Sequence, residues 1–170
     1  MTEPPPADAV LRPNVCAVLT DAPRERVLVF RRADIVQGPH CWQFPQGGMK
    51  QGETPEQALH RELREEIGTD AVELLARLPE PIAYFYPQDI LTSLRAQNAK
   101  LARYVGQRQH WFLARLSGGT ESIRFDRQPA EFSDYEWVTP GEAVVRVVPF
   151  KQQAYRQALA AFDLLPADGP

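Results

Sequence analysis

Three glutamates, Glu62, Glu65 and Glu66, stand at positions i, i+3 and i+4 of a short acidic run. On a helix this spacing gathers three carboxylates on one face, where like charges oppose one another by roughly 0.2–0.5 kcal/mol per pair. A divalent cation relieves that conflict. Oxygen ligands are what Mg²⁺ or Mn²⁺ prefers, and a bound ion activates water and offsets charge on phosphate oxygens. A solvated acidic helix face is the competing reading, and the cluster alone does not separate the two.

The helix that must carry these groups has clear ends. Thr54 predicts the N-cap, Pro55 the first helical position, Gln57 the reciprocal partner of a capping box, and Gly68 the stop. Ala58, Leu59, Leu63 and Ile67 form much of an apolar stripe that a sheet should cover. Strands are expected at 14–20, 26–32, 72–78, 82–86, 109–116 and 135–138. Residues 33–52, rich in glycine and proline, predict a loop region anchored by Trp42 and Phe44. For 88–104 a helix and a long ordered loop both stay open, because Leu91, Leu94 and Leu101 are imperfectly periodic. A closing helix is expected over 149–165, with Tyr155, Ala158, Leu159 and Phe162 inward. The sum is an α/β fold with a mixed sheet between helices.

Composition sets limits. A length of 170 residues with 44% hydrophobic content suits one domain, expected over 11–165. The runs MTEPPPADA and PADGP predict flexible tails at 1–10 and 166–170. Without a membrane-length apolar stretch or a secretory signal pattern, a cytoplasmic protein with no membrane partner is expected. Cys16 and Cys41 are too few for a disulfide framework or a thiolate metal site, so free thiols are expected. The net charge of −3 calls for no long nucleic-acid interface, whereas a nucleotide or one RNA end requires only local positive charge. A monomer is the default, and no protein partner is indicated.

The segment GGMKQGETPEQALHRELREEIGT resembles the Nudix box, with Gly47, Glu53, Arg61, Glu62, Leu63, Glu65, Glu66 and Gly68 in register. Thr69 departs from the apolar residue usual after the last glycine. The resemblance implies the Nudix fold, an α/β/α sandwich, and hydrolysis of a phosphoanhydride with two or more Mg²⁺ or Mn²⁺ ions. It implies that Glu62 and Glu66 ligate metal, and that Glu65 is a further ligand or the group that orients or deprotonates water. Arg61 would orient the glutamates. Glu53 would fix the start of the box, or serve only as a helix-start charge. Backbone carbonyls of Gln46 and Gly47 would complete a coordination shell.

Beyond the box, RPNVCAVL, WQFPQGG, GQRQHWFLARL, PAEFSDYEWV and VVPFKQQAYR are similar to the bacterial Nudix subgroup of RNA pyrophosphohydrolases and dinucleoside polyphosphate hydrolases. On this reading Glu131 supplies a distant carboxylate to the metal centre, its competing role being a surface loop acid. Glu136 is expected to point to solvent. Arg12, Arg32 and Lys151 are the expected phosphate ligands, with Arg31 on the opposite side of the strand from Arg32. Arg103 and Arg108 are weaker candidates. Phe150 is expected as a base platform or as a seal on the core. Trp42, Phe44, Trp111 and Trp137 are read as packing residues, and His40 and His110 as structural polar groups. The implied substrate is a 5′-triphosphorylated RNA end, with diadenosine tetraphosphate or a relative as the alternative. A nucleotide-pool hydrolase and a non-catalytic nucleotide-binding domain are the remaining readings, and the intact glutamates weigh against the last.

Overall fold

The computed structural model describes residues 9–167, so the tails expected at 1–10 and 166–170 lie largely outside the described residues. The chain runs β1 (Val10–Leu19), β2 (Val27–Arg32), β3 (Trp42–Gln43), β4 (Gln46–Gly48), α1 (Pro55–Ile67), β5 (Val72–Arg77), β6 (Ile82–Phe85), α2 (Gln88–Gln97), β7 (Tyr104–Leu116), β8 (Phe132–Val138), α3 (Pro140–Arg146) and α4 (Gln152–Ala161). One sheet has the order β4-β1-β7-β5, with β6 also paired to β7; the other has the order β3-β2-β8. β1 and β7 are parallel, and the remaining pairs are antiparallel.

Alternation along the strands divides the interior in two. Val15, Ala17 and Leu19 of β1 join Phe112 and Ala114 of β7 in packing on Leu59, Leu63 and Ile67 of α1. Cys16 and Val18 share the other core with Trp111, Phe44, Val144 of α3, and Tyr155 and Leu159 of α4. Helices therefore cover both faces, which explains why these strands read as continuous apolar runs. The result is the expected α/β/α sandwich. Burying each leucine or isoleucine of the α1 stripe contributes about 1.5–3 kcal/mol relative to leaving it exposed.

The helix ends follow from local chemistry. Thr54 accepts from the Gln57 backbone N–H, the Gln57 side chain accepts from the Thr54 N–H, and Gly68 closes α1 at φ 75°. A non-glycine residue would be strained there. α3 was not expected, since seven residues give almost no periodicity. Its signal was instead Thr139, Pro140 and Glu142, which repeat the capping box of α1.

Other differences are of extent. β7 begins at Tyr104 rather than 109, and β8 at Phe132 rather than 135, because ladder pairing continues into segments without a strong apolar run. The 33–52 loop contains the short strands β3 and β4. The open segment 88–104 resolves into α2 followed by turns. The closing element starts as a 3₁₀ turn at Pro149–Lys151 and ends at Ala161, with Tyr155, Ala158, Leu159 and Phe162 all buried.

One contact fixes the β3–β4 link. Tyr155 stacks on Phe44 at 4.6 Å between ring centroids, and its hydroxyl accepts the Phe44 backbone N–H at 2.9 Å. Tyr155→Phe leaves that buried N–H unpaired, so urea unfolding should report a loss of about 1–3 kcal/mol. An unchanged midpoint would mean that the link is held by packing alone.

Candidate active site

The acidic face of α1 meets β4 where two of its three residues, Gly47 and Gly48, carry no side chain. A Cβ on Gly47 would collide with the Glu62 carboxylate, so glycine is required for the two to approach. One turn on, Glu66 accepts the backbone N–H of Gln46 at 3.1 Å and is only 7% exposed. Burial pushes both carboxyls up, that of Glu66 well above its ordinary range, with Glu62 and then Glu131 adding to the effect. A buried carboxylate beside a half-buried one calls for a cation.

Arg61 braces this corner rather than facing a substrate. Its guanidinium donates to Glu53 at 2.5 and 2.8 Å, to Glu62 at 2.6 Å and to the Gly48 carbonyl at 2.9 Å. The hydrogen bond from Arg61 chiefly holds Glu53 down, to about 2. Glu53 also accepts the Lys50 backbone N–H at 2.7 Å, which fixes the start of the box.

Glu65 shares Arg61 with Glu62 and has a second cationic partner. Arg127 donates to its Oε2 at 2.9 Å, and Arg61 reaches the same oxygen at 3.4 Å. Glu131 approaches from the other sheet, with its carbonyl accepting from Ala33 N–H at 2.9 Å just before β8. Among the described residues, no three His, Cys, Asp or Glu side chains gather into one ligand cluster. The pair nevertheless suits a hard divalent cation, because its donors are all oxygen and Arg61 pairs with Glu62 while Glu66 has only the Gln46 backbone N–H.

A cavity of about 340 Å³ opens beside the corner. Arg12, Arg32, Lys151 and Glu131 line it together with Tyr84, Tyr86, Tyr104 and Phe150. Arg12 lies over Gly48, where a Cβ would collide with its guanidinium. Arg32 donates to Asp34 at 3.0 and 2.6 Å. Lys151 is only 6% exposed; burial, and next the charge of Arg32, lower its pKa to about 8. Phe150 sits 5.9 Å from the Tyr84 ring and 6.2 Å from that of Tyr86, and it also packs on the core. It therefore both seals and lines.

Beneath the cavity Gln109 donates to Asn14 at 2.9 Å and to the Gln46 side chain at 2.7 Å, tying β7, β1 and β4 together. Tyr84 donates to Gln107. The sequence reading did not pick out Tyr84, Tyr86, Gln107 or the α2 residues Ile90 and Leu94 as site residues. The alternation of IAYFY, which puts both tyrosines on one face, was the available signal.

The remaining candidates lie elsewhere. Arg31 turns away from Arg32 and donates to the Val36 carbonyl. Glu136 pairs with Arg146 at 2.8 Å, whose guanidinium lies over Trp42. His40 sits 3.1 Å from the Val145 carbonyl, and burial lowers the pKa of His110. Trp111 and Phe44 are fully buried, Trp137 packs at the edge of the α1 core, and both cysteines are buried free thiols. Arg108 is exposed, while Arg103 rests on Tyr104 at the cavity edge.

Comparison with known proteins agrees with this geometry. The chain is 43% identical over 154 residues to an RNA pyrophosphohydrolase of Helicobacter pylori (strain ATCC 700392 / 26695), covering 89% of this chain and 92% of the relative. It is 38% identical over 155 residues to an RNA pyrophosphohydrolase of Erythrobacter litoralis, again covering 89% and 92%. Among solved structures, the E. coli dihydroneopterin triphosphate pyrophosphohydrolase superposes with a TM-score of 0.64 at 22% identity, covering 90% of this chain and 97% of that one. A C. elegans Ap4A hydrolase complex gives 0.60 at 18%, covering 89% and 97%; at such identities the likeness concerns the fold. The NUDIX domain model matches residues 10–162, and with the box, its helix and the α/β/α sandwich in place, this chain belongs to the NUDIX family and is a Nudix hydrolase.

Proposed function

We propose that this enzyme is a metal-dependent RNA 5′ pyrophosphohydrolase that converts triphosphorylated ends to monophosphate. The observation that carries this reading is one cavity lined by three cationic side chains, Arg12, Arg32 and Lys151, together with Glu131 and the rings of Tyr84, Tyr86, Tyr104 and Phe150, beside the Glu62–Glu66 corner. A triphosphate attached to a base has the same two-part chemistry. The relatives named above as RNA pyrophosphohydrolases support the choice of substrate.

Enzymes of the family generally use divalent metal ions. Glu62 and Glu66, with Glu131 across the cavity and the carbonyls of Gln46 and Gly47, would hold Mg²⁺ or Mn²⁺, in two or more ions, and these supply Lewis acidity at phosphate oxygens and a more acidic water. Arg12, Arg32 and Lys151 bind the phosphate chain through charge-assisted hydrogen bonds. Both guanidinium contacts to Glu65 fall on Oε2, so Oε1 is the oxygen suited to orient the attacking water and take its proton. Water adds to one phosphorus in line with the leaving group, the bridging P–O bond breaks, and the basic side chains stabilise the departing phosphate. Phe150, with Tyr84 and Tyr86 behind it, offers a stacking surface tolerant of any base. One Nudix unit acting as a cytoplasmic monomer suffices for this chemistry.

A competition assay discriminates the substrate. With Mg²⁺ present, a short 5′-triphosphorylated RNA and diadenosine tetraphosphate are supplied together and both product sets are resolved. Preferential formation of 5′-monophosphorylated RNA is expected; preferential cleavage of the dinucleotide would assign the alternative. Glu66→Gln, which keeps size and hydrogen bonding but removes the charge, should lower kcat on the order of 10²–10³-fold while the fold persists. Lys151 supplies a pH signature. Because its folded pKa is lowered to about 8, it is protonated at pH 7 and loses its charge as the pH rises through that value. Affinity for the triphosphate end should therefore fall between about pH 7 and 9, and Lys151→Met should bind weakly throughout with that step absent. A step that persists in Lys151→Met belongs to another group.

A further inference from the structure

The segment over the cavity has two sides of different chemistry. Ile90, Leu94, Leu101 and Tyr104 line the cavity, yet none of the ten residues of α2 is buried. The helix is a wall of the site rather than part of the core. Its solvent side carries Arg95, and the turns that follow carry Lys100 and Arg103, all exposed. Against these three cations the segment 88–103 holds the single acid Asp89, whereas the whole chain is net negative at −3. The cavity rim is thus locally net positive.

Arg103 is also held in place. Its guanidinium lies 4.8 Å from the Tyr104 ring centroid, and Nη2 donates to the Tyr104 hydroxyl at 2.7 Å. Tyr104 belongs to the cavity wall, so the cation is fixed at the mouth through a stacked and hydrogen-bonded pair. A cavity of about 340 Å³ suits one small ligand, so nucleotides following the reacting end must lie outside it.

We propose that the outer side of residues 95–103 is a second RNA-binding surface, on which Arg95, Lys100 and Arg103 take the phosphates of nucleotides downstream of the cavity. The inference rests on the RNA reading above and deepens it. A grip of this kind is independent of sequence, since phosphate contacts position a strand without reading its bases. It also separates substrates, because a free dinucleoside polyphosphate has no downstream phosphates to engage it.

Fluorescence anisotropy with 5′-triphosphorylated oligoribonucleotides of two and ten nucleotides, over a NaCl series, tests this directly. The wild-type protein should bind the ten-mer more tightly, with a log–log salt slope steeper than for the two-mer by up to roughly 2, from three contacts at about 0.7 each. Arg95→Gln/Lys100→Gln, both away from the cavity lining, should remove most of that gain and leave two-mer binding unchanged. Arg24→Gln/Arg26→Gln, in the turn after β1 and far from Arg12, should retain the gain. Equal wild-type affinity for both lengths, an equal loss on the two-mer in the Arg95/Lys100 double variant, or the same loss in the control would overturn the proposal. Hydrolysis of the same RNAs reports separately on the reaction. Length-dependent binding through these side chains without cleavage would uphold the surface and sink the pyrophosphohydrolase reading.

Discussion

Two carboxylates packed against the glycine end of a short strand are the constraint around which the molecule is arranged. Glu62 can reach its position only because residue 47 is glycine, and Glu66 is held by a backbone N–H from residue 46. Holding a buried Glu66 beside Glu62, with Arg61 as counter-charge to Glu62 alone, is unfavourable without a cation, so the surrounding structure has to enforce it. The apolar stripe of α1 anchors the helix to the sheet, while its capping box fixes where the helix begins. The Arg61–Glu53 brace joins the helix to the loop before it and to the carbonyl of Gly48. A corner strained electrostatically but rigid in geometry is the outcome, and it is suited to a cation.

The same strands serve the core and the site in succession. β1 contributes Arg12 to the cavity and Asn14 to the amide network beneath it, and from Val15 onward its residues divide between the two cores. β7 does likewise, with Gln107 and Gln109 near the site and Trp111 and Leu113 in the core. Function therefore sits where these parallel neighbours stop being covered on the cavity side. Lys151 illustrates the cost of such placement. Near Arg32 and out of water, its ammonium has a lowered pKa, and phosphate binding supplies the partner that burial withholds.

Much of this was legible in the residues. The stripe and caps of α1 specify a helix on their own, because periodicity and end chemistry agree over thirteen residues. Arg12, Arg32, Phe150 and Lys151, widely separated in the chain, do line one cavity with Glu131. What sequence could not give was distance. The spacing puts Glu62, Glu65 and Glu66 on one helix face, but it does not announce that Glu65 also pairs with Arg127, a residue sixty-two positions away whose approach no local pattern encodes. Tyr84 and Tyr86 escaped notice because alternating aromatics are ordinary in a strand, and their role depends on α2 and the 3₁₀ turn closing round them. α3 was missed because its cap, rather than its periodicity, carried the signal.

The most direct measurement is the thermal unfolding midpoint of the apo protein as Mg²⁺ or Mn²⁺ is added, for the wild type and for Glu62→Gln/Glu66→Gln. A ligand that binds the folded state alone stabilises it in proportion to the logarithm of its concentration above Kd. If the buried carboxylates form a cation site, the wild-type midpoint climbs with metal while the variant starts higher without metal, relieved of its buried charge, and stays flat. A wild-type midpoint indifferent to metal, or a variant that responds as the wild type does, would contradict it.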